Sequence, residues 1–197
     1  KLVRKDKELK LIITEHGHPP MWTRPATFQT LILTILEQQV SLASAYAAFN
    51  KLKEKIGAVT PQKILLLTDA ELRACYFSRQ KIIYARELAT AIQTKQLQLK
   101  KFNSATDEEV KYELKKIKGI GDWTAEVYLM HALQRTDLFP LGDIALVNSL
   151  KEVKQLHPHI TKEEMLAIAE PWRPYRTIAA MILWHSYIKK RNIKLQE

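Results

Sequence analysis

Three Thr-x-x-Glu pairs, each placed just ahead of a helical pattern, constrain the fold of this chain most strongly. In this pattern the threonine hydroxyl accepts a hydrogen bond from the amide three residues on, and the glutamate carboxylate accepts one from the threonine amide. Each pair therefore predicts the first turn of an α-helix. The pairs are Thr68 with Glu71, Thr106 with Glu109, and Thr161 with Glu164.

Apolar residues recur at helical spacing throughout the chain. Val110, Leu114 and Ile117, for example, form one apolar stripe at i, i+4 and i+7. No sustained alternation of apolar and polar residues occurs, and no Asn-Gly or Asp-Gly dipeptide indicates a hairpin of strands. We therefore predict an all-α protein of about ten helices. The predicted helices cover residues 4–15, 27–37, 41–55, 61–67, 69–75, 79–94, 107–117, 122–135, 143–156, 162–170 and 174–190.

The charge and the cysteine content narrow the classes of partner and cofactor. Lysine and arginine outnumber aspartate and glutamate by 31 to 21, a net charge of +10. This favours a polyanionic partner, either nucleic acid or an anionic membrane surface, although a basic protein without such a partner is an alternative. Cys75 is the only cysteine, which excludes an internal disulfide and a four-cysteine cluster and is typical of a reducing compartment. No run of about 20 apolar residues predicts a membrane span.

Residues 115–126, KKIKGIGDWTAE, place a tight turn between two predicted helices. Gly119 and Gly121 in this turn expose amides beside the positive end of the next helix, and this is a typical anion site. The alternative is an ordinary helix–helix turn closed by a glycine. The lysines before the turn and Trp123 after it favour binding of a nucleic-acid phosphate.

The segment Leu114–Ala125, LKKIKGIGDWTA, resembles the helix-hairpin-helix of the DNA glycosylase superfamily named for this hairpin and a following Gly/Pro…Asp loop. Residues 172–184 resemble a signature of its 3-methyladenine DNA glycosylase II branch. The resembling segments besides the hairpin are 35–41 (ILEQQVS), 72–88 (containing FSRQK), 135–143 (RTDLFPLGD) and 172–184 (WRPYRTIAAMILW). They follow the family's order along the chain. The resemblance implies a two-lobe fold with the active-site cleft between the lobes. Residues 27–135 would form a six-helix barrel lobe that ends in the hairpin, and residues 1–26 plus 136–197 a second helical lobe.

The resemblance assigns catalysis to Asp143, at the end of the loop. A carboxylate there stabilises the oxocarbenium character that develops on the sugar, and it orients or deprotonates the attacking water. From its position alone, the better interpretation of Asp143 is an N-cap of the next helix, a role that is compatible with catalysis. No second carboxylate is predicted to assist, since Asp137 is expected on the loop surface. An alkylated purine already carries positive charge, so one carboxylate suffices.

Trp123 and Trp184 are the candidates for the base pocket, because aromatic faces favour a cationic base, and the resemblance matches Trp184 to an aromatic residue of that pocket. Core packing is the alternative for both rings, and we assign Trp172 to structure. Trp123 occupies the position of the lysine nucleophile in relatives that also cut the strand, so no Schiff base can form there. Val127 and Ile144 stand where the family often has tyrosines, so we expect a wider pocket or a different substrate range.

The target base must leave the duplex, and the resemblance assigns the wedge that fills the gap to Gln38 and Gln39. Their alternative is a pair of solvated glutamines. The resemblance also implies a monovalent cation, Na⁺ or K⁺, on the carbonyls of Lys115, Ile117 and Ile120, and no other cofactor; an iron–sulfur cluster is excluded by the cysteine content. The predicted DNA-binding residues are Ser78, Arg79, Lys81, Lys118, Gly119, Ile120, Gly121 and Thr124.

Together these features predict a monofunctional DNA glycosylase of base excision repair that removes alkylated purines such as 3-methyladenine and 7-methylguanine. Two alternatives remain open: a glycosylase for deaminated, oxidised or mismatched bases, and a non-catalytic hairpin module that only binds DNA. We expect a monomer that acts on damaged double-stranded DNA and binds no membrane. The expected location is the cytoplasm and nucleoid in a bacterium, or the nucleus in a eukaryote.

Overall fold

The computed structural model describes residues 2–194, and every regular element within them is a helix. This confirms the all-α prediction. None of these helices is long and apolar enough to cross a lipid bilayer. The α-helices are α1 Leu2–Lys5, α2 Lys7–His16, α3 Phe28–Glu37, α4 Leu42–Ile56, α5 Pro61–Leu66, α6 Asp69–Ala74, α7 Arg79–Gln93, α8 Asp107–Lys115, α9 Asp122–His131, α10 Ile144–Lys154, α11 Lys162–Ala169 and α12 Arg176–Lys190, and two short 3-10 helices span Leu99–Asn103 and Glu170–Trp172.

All three predicted capping boxes form, at the starts of α6, α8 and α11. At α6 the Thr68 amide donates to Glu71 Oε2 at 2.8 Å, and the Glu71 amide donates to Thr68 Oγ1 at 3.2 Å. The hydrogen bond from the Thr68 amide, followed by one from Lys55, lowers the pKa of the Glu71 carboxyl to about 2. The helix starts are thus fixed by contacts within four residues of sequence.

Most predicted helix ends differ from the observed ones by one to four residues, and at two further places the number of helices differs. The helix predicted over 4–15 is interrupted at Asp6, whose side chain accepts a hydrogen bond from the Leu9 amide at 3.0 Å and so begins α2. Between the helices predicted at 79–94 and 107–117, the structure has a 3-10 helix, which buries Phe102. A single cap divides the first helix, and a single buried ring marks the 3-10 helix. Apolar periodicity predicts neither feature.

The helices divide into two compact units. The central unit comprises residues 24–133, and the terminal unit combines residues 2–23 with residues 134–194. The resemblance implies bounds of 27–135 for the first lobe, and this lobe assignment stays a prediction. Each unit therefore has a core of its own, and the hairpin belongs to the central unit and Asp143 to the terminal unit.

In the terminal unit, α12 packs against α2 and α10. Trp172 is fully buried and donates from Nε1 to Asp6 Oδ2 at 2.9 Å, and the ring of Phe139 lies 5.6 Å from its own ring. The structural role predicted for Trp172 agrees with this packing. The Phe139 contact thus packs the loop that carries Asp143 against the buried Trp172.

In the central unit, α3 is the core helix, and it packs against α4, α7 and α9. Every residue of α3 except Gln29 is buried. Its last residue, Glu37, is also buried, and Arg24 binds its carboxylate through two hydrogen bonds of 2.8 and 2.6 Å. This pair fixes the end of α3 and with it the start of the loop that contains Gln38 and Gln39.

Candidate active site and nucleic-acid interface

The hairpin turn joins α8 to α9 and depends on Gly119. Its φ of +93° is a left-handed conformation, and a Cβ at this position would lie 2.1 Å from Cγ of Tyr84. The Ile120 side chain is buried, and its amide donates to the carbonyl of Ile117 at 3.0 Å. Because the backbone conformation and the packing both exclude a side chain, only glycine fits at 119.

Gly121 has a different role from Gly119. It is the N-cap of α9, with φ −99° and ψ −173°, values that any residue adopts. It supplies no side-chain cap, and nothing lies within 4 Å of the place where a Cβ would stand. The first amides of α9 therefore face an approach that no side chain at 121 obstructs, at the positive end of the helix dipole.

The lysines around the turn differ in what they contact. Lys115 Nζ binds Asp122 Oδ1 at 2.6 Å across the turn, and this hydrogen bond lowers the pKa of the Asp122 carboxyl. Lys116 binds Glu113 at 2.6 Å and lies 4.3 Å from the centre of the Tyr112 ring. Lys118 is exposed. Lys118 is thus the lysine of this segment best placed for a phosphate.

The start of α7 carries three of the predicted DNA-binding residues. Ser78 is the N-cap, and its hydroxyl accepts a hydrogen bond from the Lys81 amide at 3.2 Å. The Lys81 ammonium donates to the carbonyl of Leu36 at 2.7 Å, and burial lowers its pKa. The prediction for the Lys81 side chain therefore needs correction, because this side chain holds α7 to the end of α3. Arg79 is exposed.

The two glutamines predicted as a wedge have different environments. Gln38 is half-buried, and its Nε2 donates to the carbonyl of Gly119 at 2.8 Å and to the hydroxyl of Thr124 at 2.9 Å. Gln39 is exposed and has a φ of +57°. Thr124 is buried, so any contact of Thr124 with DNA has to be made by its backbone.

The start of α9 also carries the aromatic residue predicted for the base pocket. Trp123 is the second residue of the helix and is half-buried. Val127, one turn further on, is buried. Tyr128 follows it but is fully buried beside the ring of Phe102, and burial raises the pKa of its hydroxyl to about 12. Tyr128 therefore does not take the role of the tyrosine that the resemblance leads us to expect at position 127.

Asp143 is both an N-cap and the hydrogen-bond partner of a tryptophan. Its Oδ1 accepts one hydrogen bond from the Leu146 amide at 2.8 Å and one from Nε1 of Trp184 at 2.9 Å. Its own amide donates to the carbonyl of Pro140 at 2.9 Å. The carboxylate is half-buried, and Trp184 is 8% exposed. The structure thus brings together two predicted site residues, with the edge of the indole directed at the carboxylate.

Hydrogen bonds with Thr177 and Arg176 anchor the loop before Asp143 to α12. Thr177 Oγ1 accepts from the Leu138 amide at 3.0 Å and donates to the carbonyl of Arg135 at 2.8 Å. Arg176 binds Asp137 at 2.8 and 3.0 Å. Asp137 is therefore half-buried and ion-paired, and the expectation of a plain surface position is wrong. Partial burial acts to raise the pKa of Asp137, but the hydrogen bond from Arg176 holds it below its usual value.

The cation hypothesis concerns three carbonyls in the hairpin. The carbonyl of Ile117 accepts from the Ile120 amide at 3.0 Å, and a carbonyl oxygen retains a second lone pair that can face a cation. The site at Lys115, Ile117 and Ile120 stays a prediction. Among residues 2–194, histidine, cysteine and acidic side chains form no cluster of three that could hold a metal ion.

Comparison with known proteins places these features in one family. Residues 32–174 match the HhH-GPD superfamily of base excision DNA repair proteins. The Bacillus subtilis protein YfjP is 33% identical over 186 residues, which are 90% of this chain and 65% of that protein. The DNA-3-methyladenine glycosylase of Bacillus subtilis is 30% identical over 172 residues, 81% of this chain and 57% of that enzyme.

One solved structure is similar over almost the whole chain. The 3-methyladenine DNA glycosylase Mag1 of Schizosaccharomyces pombe, in complex with abasic DNA, superposes with a TM-score of 0.83 at 28% identity and covers 98% of this chain and 95% of Mag1. The chain spans less than two thirds of the length of the two Bacillus subtilis relatives. The family match covers the hairpin, the loop and Asp143. The chain therefore belongs to the HhH-GPD superfamily of base excision DNA repair proteins.

Proposed function

We propose that this chain is a monofunctional DNA glycosylase that hydrolyses the N-glycosidic bond of alkylated purines in double-stranded DNA. The observation that carries the proposal is the Asp143 carboxylate, held by the Trp184 indole and the Leu146 amide at the end of the loop that the family match includes. The names of the relatives, which are DNA-3-methyladenine glycosylases, support the choice of base.

The reaction needs one carboxylate when the leaving base is already cationic. As the bond between C1′ and the purine nitrogen breaks, its electron pair leaves with the base, and the sugar gains oxocarbenium character. The Asp143 carboxylate stabilises this charge and accepts a proton from the water whose oxygen bonds to C1′. The products are the free base and an abasic sugar. Hydrogen bonds to Oδ1 keep the carboxylate in one orientation during this step.

Selection of a cationic base follows from the aromatic residue at the start of α9. Trp123 is half-buried, and a tryptophan face attracts a cation by about 0.5–2 kcal/mol, more than it attracts a neutral base. The pocket role predicted for Trp184 stays a prediction, since its indole edge binds Asp143. Trp123 also takes the position of the lysine nucleophile in related lyases, which supports base removal without strand cleavage.

DNA is held, in this proposal, by the hairpin of the central unit. A phosphate lies at the first amides of α9, and the exposed Lys118 adds positive charge. Gln39, exposed and in a left-handed conformation at the end of α3, fills the space left by the flipped base. The protein acts as a monomer.

Methylated duplex DNA tests the proposal directly. The wild type is incubated with DNA that carries 3-methyladenine or 7-methylguanine and compared with Asp143→Asn. Asparagine keeps an oxygen that accepts from Leu146 and Trp184, so the fold is retained while the charge is lost. We expect the wild type to release free base and to leave strands that break only after alkali. The variant should lose base release by about 10²–10⁴-fold and keep its affinity for DNA.

The other outcomes separate the alternative functions. Release of hypoxanthine or ethenoadenine, but not of methylated purines, would identify a glycosylase of other specificity. Equal release by both proteins would remove the catalytic role of Asp143. DNA binding without release of any base would leave a hairpin module that only binds DNA.

A further inference from the structure

Gln38 connects the end of α3 to both sides of the hairpin turn. It is the first residue after α3, and its two partners lie 81 and 86 residues further along the chain. One partner is the carbonyl of Gly119, within the turn, and the other is the hydroxyl of Thr124, in the first turn of α9. The Gln38 amide therefore joins three elements at one point of the central unit.

The chemistry of the partners determines the orientation of the amide. The carbonyl of Gly119 can only accept, so the NH₂ group of Gln38 has to face it. The opposite orientation would place two acceptor oxygens at 2.8 Å. The second N–H of the same nitrogen then donates to the Thr124 hydroxyl. Since Gln38 is half-buried and Thr124 is buried, removal of the amide would leave the Thr124 hydroxyl without this partner and out of reach of water.

The turn is fixed from a second side by Tyr84. The ring of Tyr84 lies so close to Gly119 that a Cβ there would be 2.1 Å from Cγ. Gly119 is thus fixed through its carbonyl by Gln38 and through its Cα by Tyr84. Between Gly119 and Thr124 lies the start of α9, at Gly121 and Asp122, which has no side-chain cap. The backbone amides of this helix start are the ones proposed to bind the phosphate.

We infer that Gln38 is a positioning residue that holds the hairpin amides in the orientation required to bind a DNA phosphate, and that Gln39 alone is the wedge. The inference rests on the proposed function. A turn fixed before binding loses less entropy when the phosphate arrives, and affinity for any duplex increases accordingly. A wedge acts later, because it is needed only when a base has left the stack. The two adjacent glutamines therefore act at different steps of the reaction.

Matched methionine variants separate the two roles, since methionine has the length of glutamine without its donor. For Gln38→Met we expect the dissociation constant for undamaged duplex, measured by fluorescence anisotropy, to rise about tenfold through loss of two neutral hydrogen bonds. The slope of affinity against salt should not change, because no charge is removed. In single-turnover base release, the protein concentration for half-maximal rate should rise about tenfold, whereas the maximal rate should fall less than about threefold.

Gln39→Met should show the opposite division, with undamaged-duplex affinity near that of the wild type and a lower maximal rate. Gln38→Glu places a carboxylate oxygen against the Gly119 carbonyl and should bind duplex more weakly than Gln38→Met. Thr124→Val removes the second partner and should weaken binding in the same direction, and Thr124→Ser, which keeps the hydroxyl, should restore it. This second position tests the inference if Gln38→Met does not fold.

Three results would overturn the inference. Gln38→Met could bind undamaged duplex like the wild type and lose maximal rate as Gln39→Met does, which would make Gln38 a wedge. It could lose affinity and thermal stability together in proportion, with no restoration at Thr124→Ser, which would make its role one of folding only. Gln38→Glu could bind as well as Gln38→Met, which would exclude the donor role. A wild type that releases no base refutes the proposed function instead, and the duplex-affinity comparison still tests Gln38.

Discussion

Trp184 donates its indole N–H to Oδ1 of Asp143 at 2.9 Å, and the backbone amide of Leu146 donates to the same oxygen at 2.8 Å. The two donors come from α12 and from the first turn of α10. Because both converge on one carboxylate oxygen, rotation of the carboxylate about its Cβ–Cγ bond would break both bonds. The two hydrogen bonds thus fix the orientation of the Asp143 carboxylate, and catalysis by a carboxylate requires a fixed orientation.

Trp184→Phe is expected to slow base release and leave DNA binding intact. Phenylalanine keeps an aromatic ring in a buried position but has no donor for Asp143. A hydrogen bond to a charged group contributes about 1.5–3 kcal/mol, so the single-turnover rate should fall about tenfold to 100-fold. The measurement is base release from methylated duplex at saturating protein, with anisotropy for affinity. An unchanged rate would show that the Leu146 amide alone is sufficient to orient Asp143.

The helices were predictable because their signals are local. Thr106 and Glu109, for instance, contact each other across three residues, and the box they predict is the one that forms. Asp143 was open to two interpretations, N-cap and catalyst, and the structure confirms the cap, whereas the catalytic role remains proposed. Sequence spacing is sufficient where both partners of an interaction lie within one helical turn.

The parts of the site that could not be predicted depend on partners distant in sequence. The Trp184–Asp143 bond spans 41 residues, and the Gln38–Gly119 bond spans 81. Lys81 was expected to contact DNA because it is a lysine near a helix start, but the carbonyl of Leu36, 45 residues away, binds it. Helical periodicity indicates which face of a helix is buried, and it does not indicate which polar group on another helix lies opposite.

The two hairpin glycines should respond differently to alanine. Gly119→Ala would introduce a Cβ 2.1 Å from the Tyr84 ring at a φ of +93°, and we expect a loss of about 2–4 kcal/mol in the free energy of unfolding. Gly121→Ala meets nothing within 4 Å, at a φ of −99°, so stability should change by less than about 0.5 kcal/mol. Urea unfolding measures both.

Duplex affinity measures a second effect of the Gly121→Ala variant, which is expected to keep its stability. The methyl group of Gly121→Ala points into the space in front of α9 where the phosphate is proposed to lie, and we expect duplex affinity to fall about tenfold while the fold is retained. Affinity equal to that of the wild type would mean that the phosphate does not approach these amides. Equal destabilisation by the two variants would contradict the roles assigned to Gly119 and Gly121.

Lys118→Ala should weaken DNA binding and reduce the dependence of DNA affinity on salt concentration. Lys118 is exposed beside the hairpin, and each phosphate contact contributes about 0.9 to the slope of log affinity against log salt concentration. We expect the slope to decrease by about that amount in anisotropy titrations between low and moderate salt. Lys116→Ala is the matched control, because Lys116 is bound to Glu113 at 2.6 Å. An equal decrease in both variants would show that the hairpin lysines act only through their summed charge.

Acid stability should depend on Asp6 in the terminal unit. Oδ2 of Asp6 accepts hydrogen bonds from Lys154 at 2.6 Å and from Trp172 at 2.9 Å. Burial alone would raise the pKa of Asp6, but the hydrogen bonds from Lys154, Leu9 and Trp172 together lower it. A carboxyl whose pKa is lower in the folded state stabilises the fold above its unfolded pKa of about 4, and this contribution disappears as the pH falls through the folded value.

Asp6→Asn removes this contribution while keeping the shape of the side chain. At pH 7 we expect the variant to be less stable than the wild type by about 1–3 kcal/mol, because Lys154 loses its buried, negatively charged partner. The difference should shrink below about pH 4, where Asp6 takes up a proton in the unfolded wild type, and it should disappear below the lower pKa of the folded state. Urea unfolding from pH 7 to pH 2.5 measures it, with the exposed Glu163→Gln as control. A difference that stays constant over this range would show that Asp6 stabilises the fold through its shape and not through its charge.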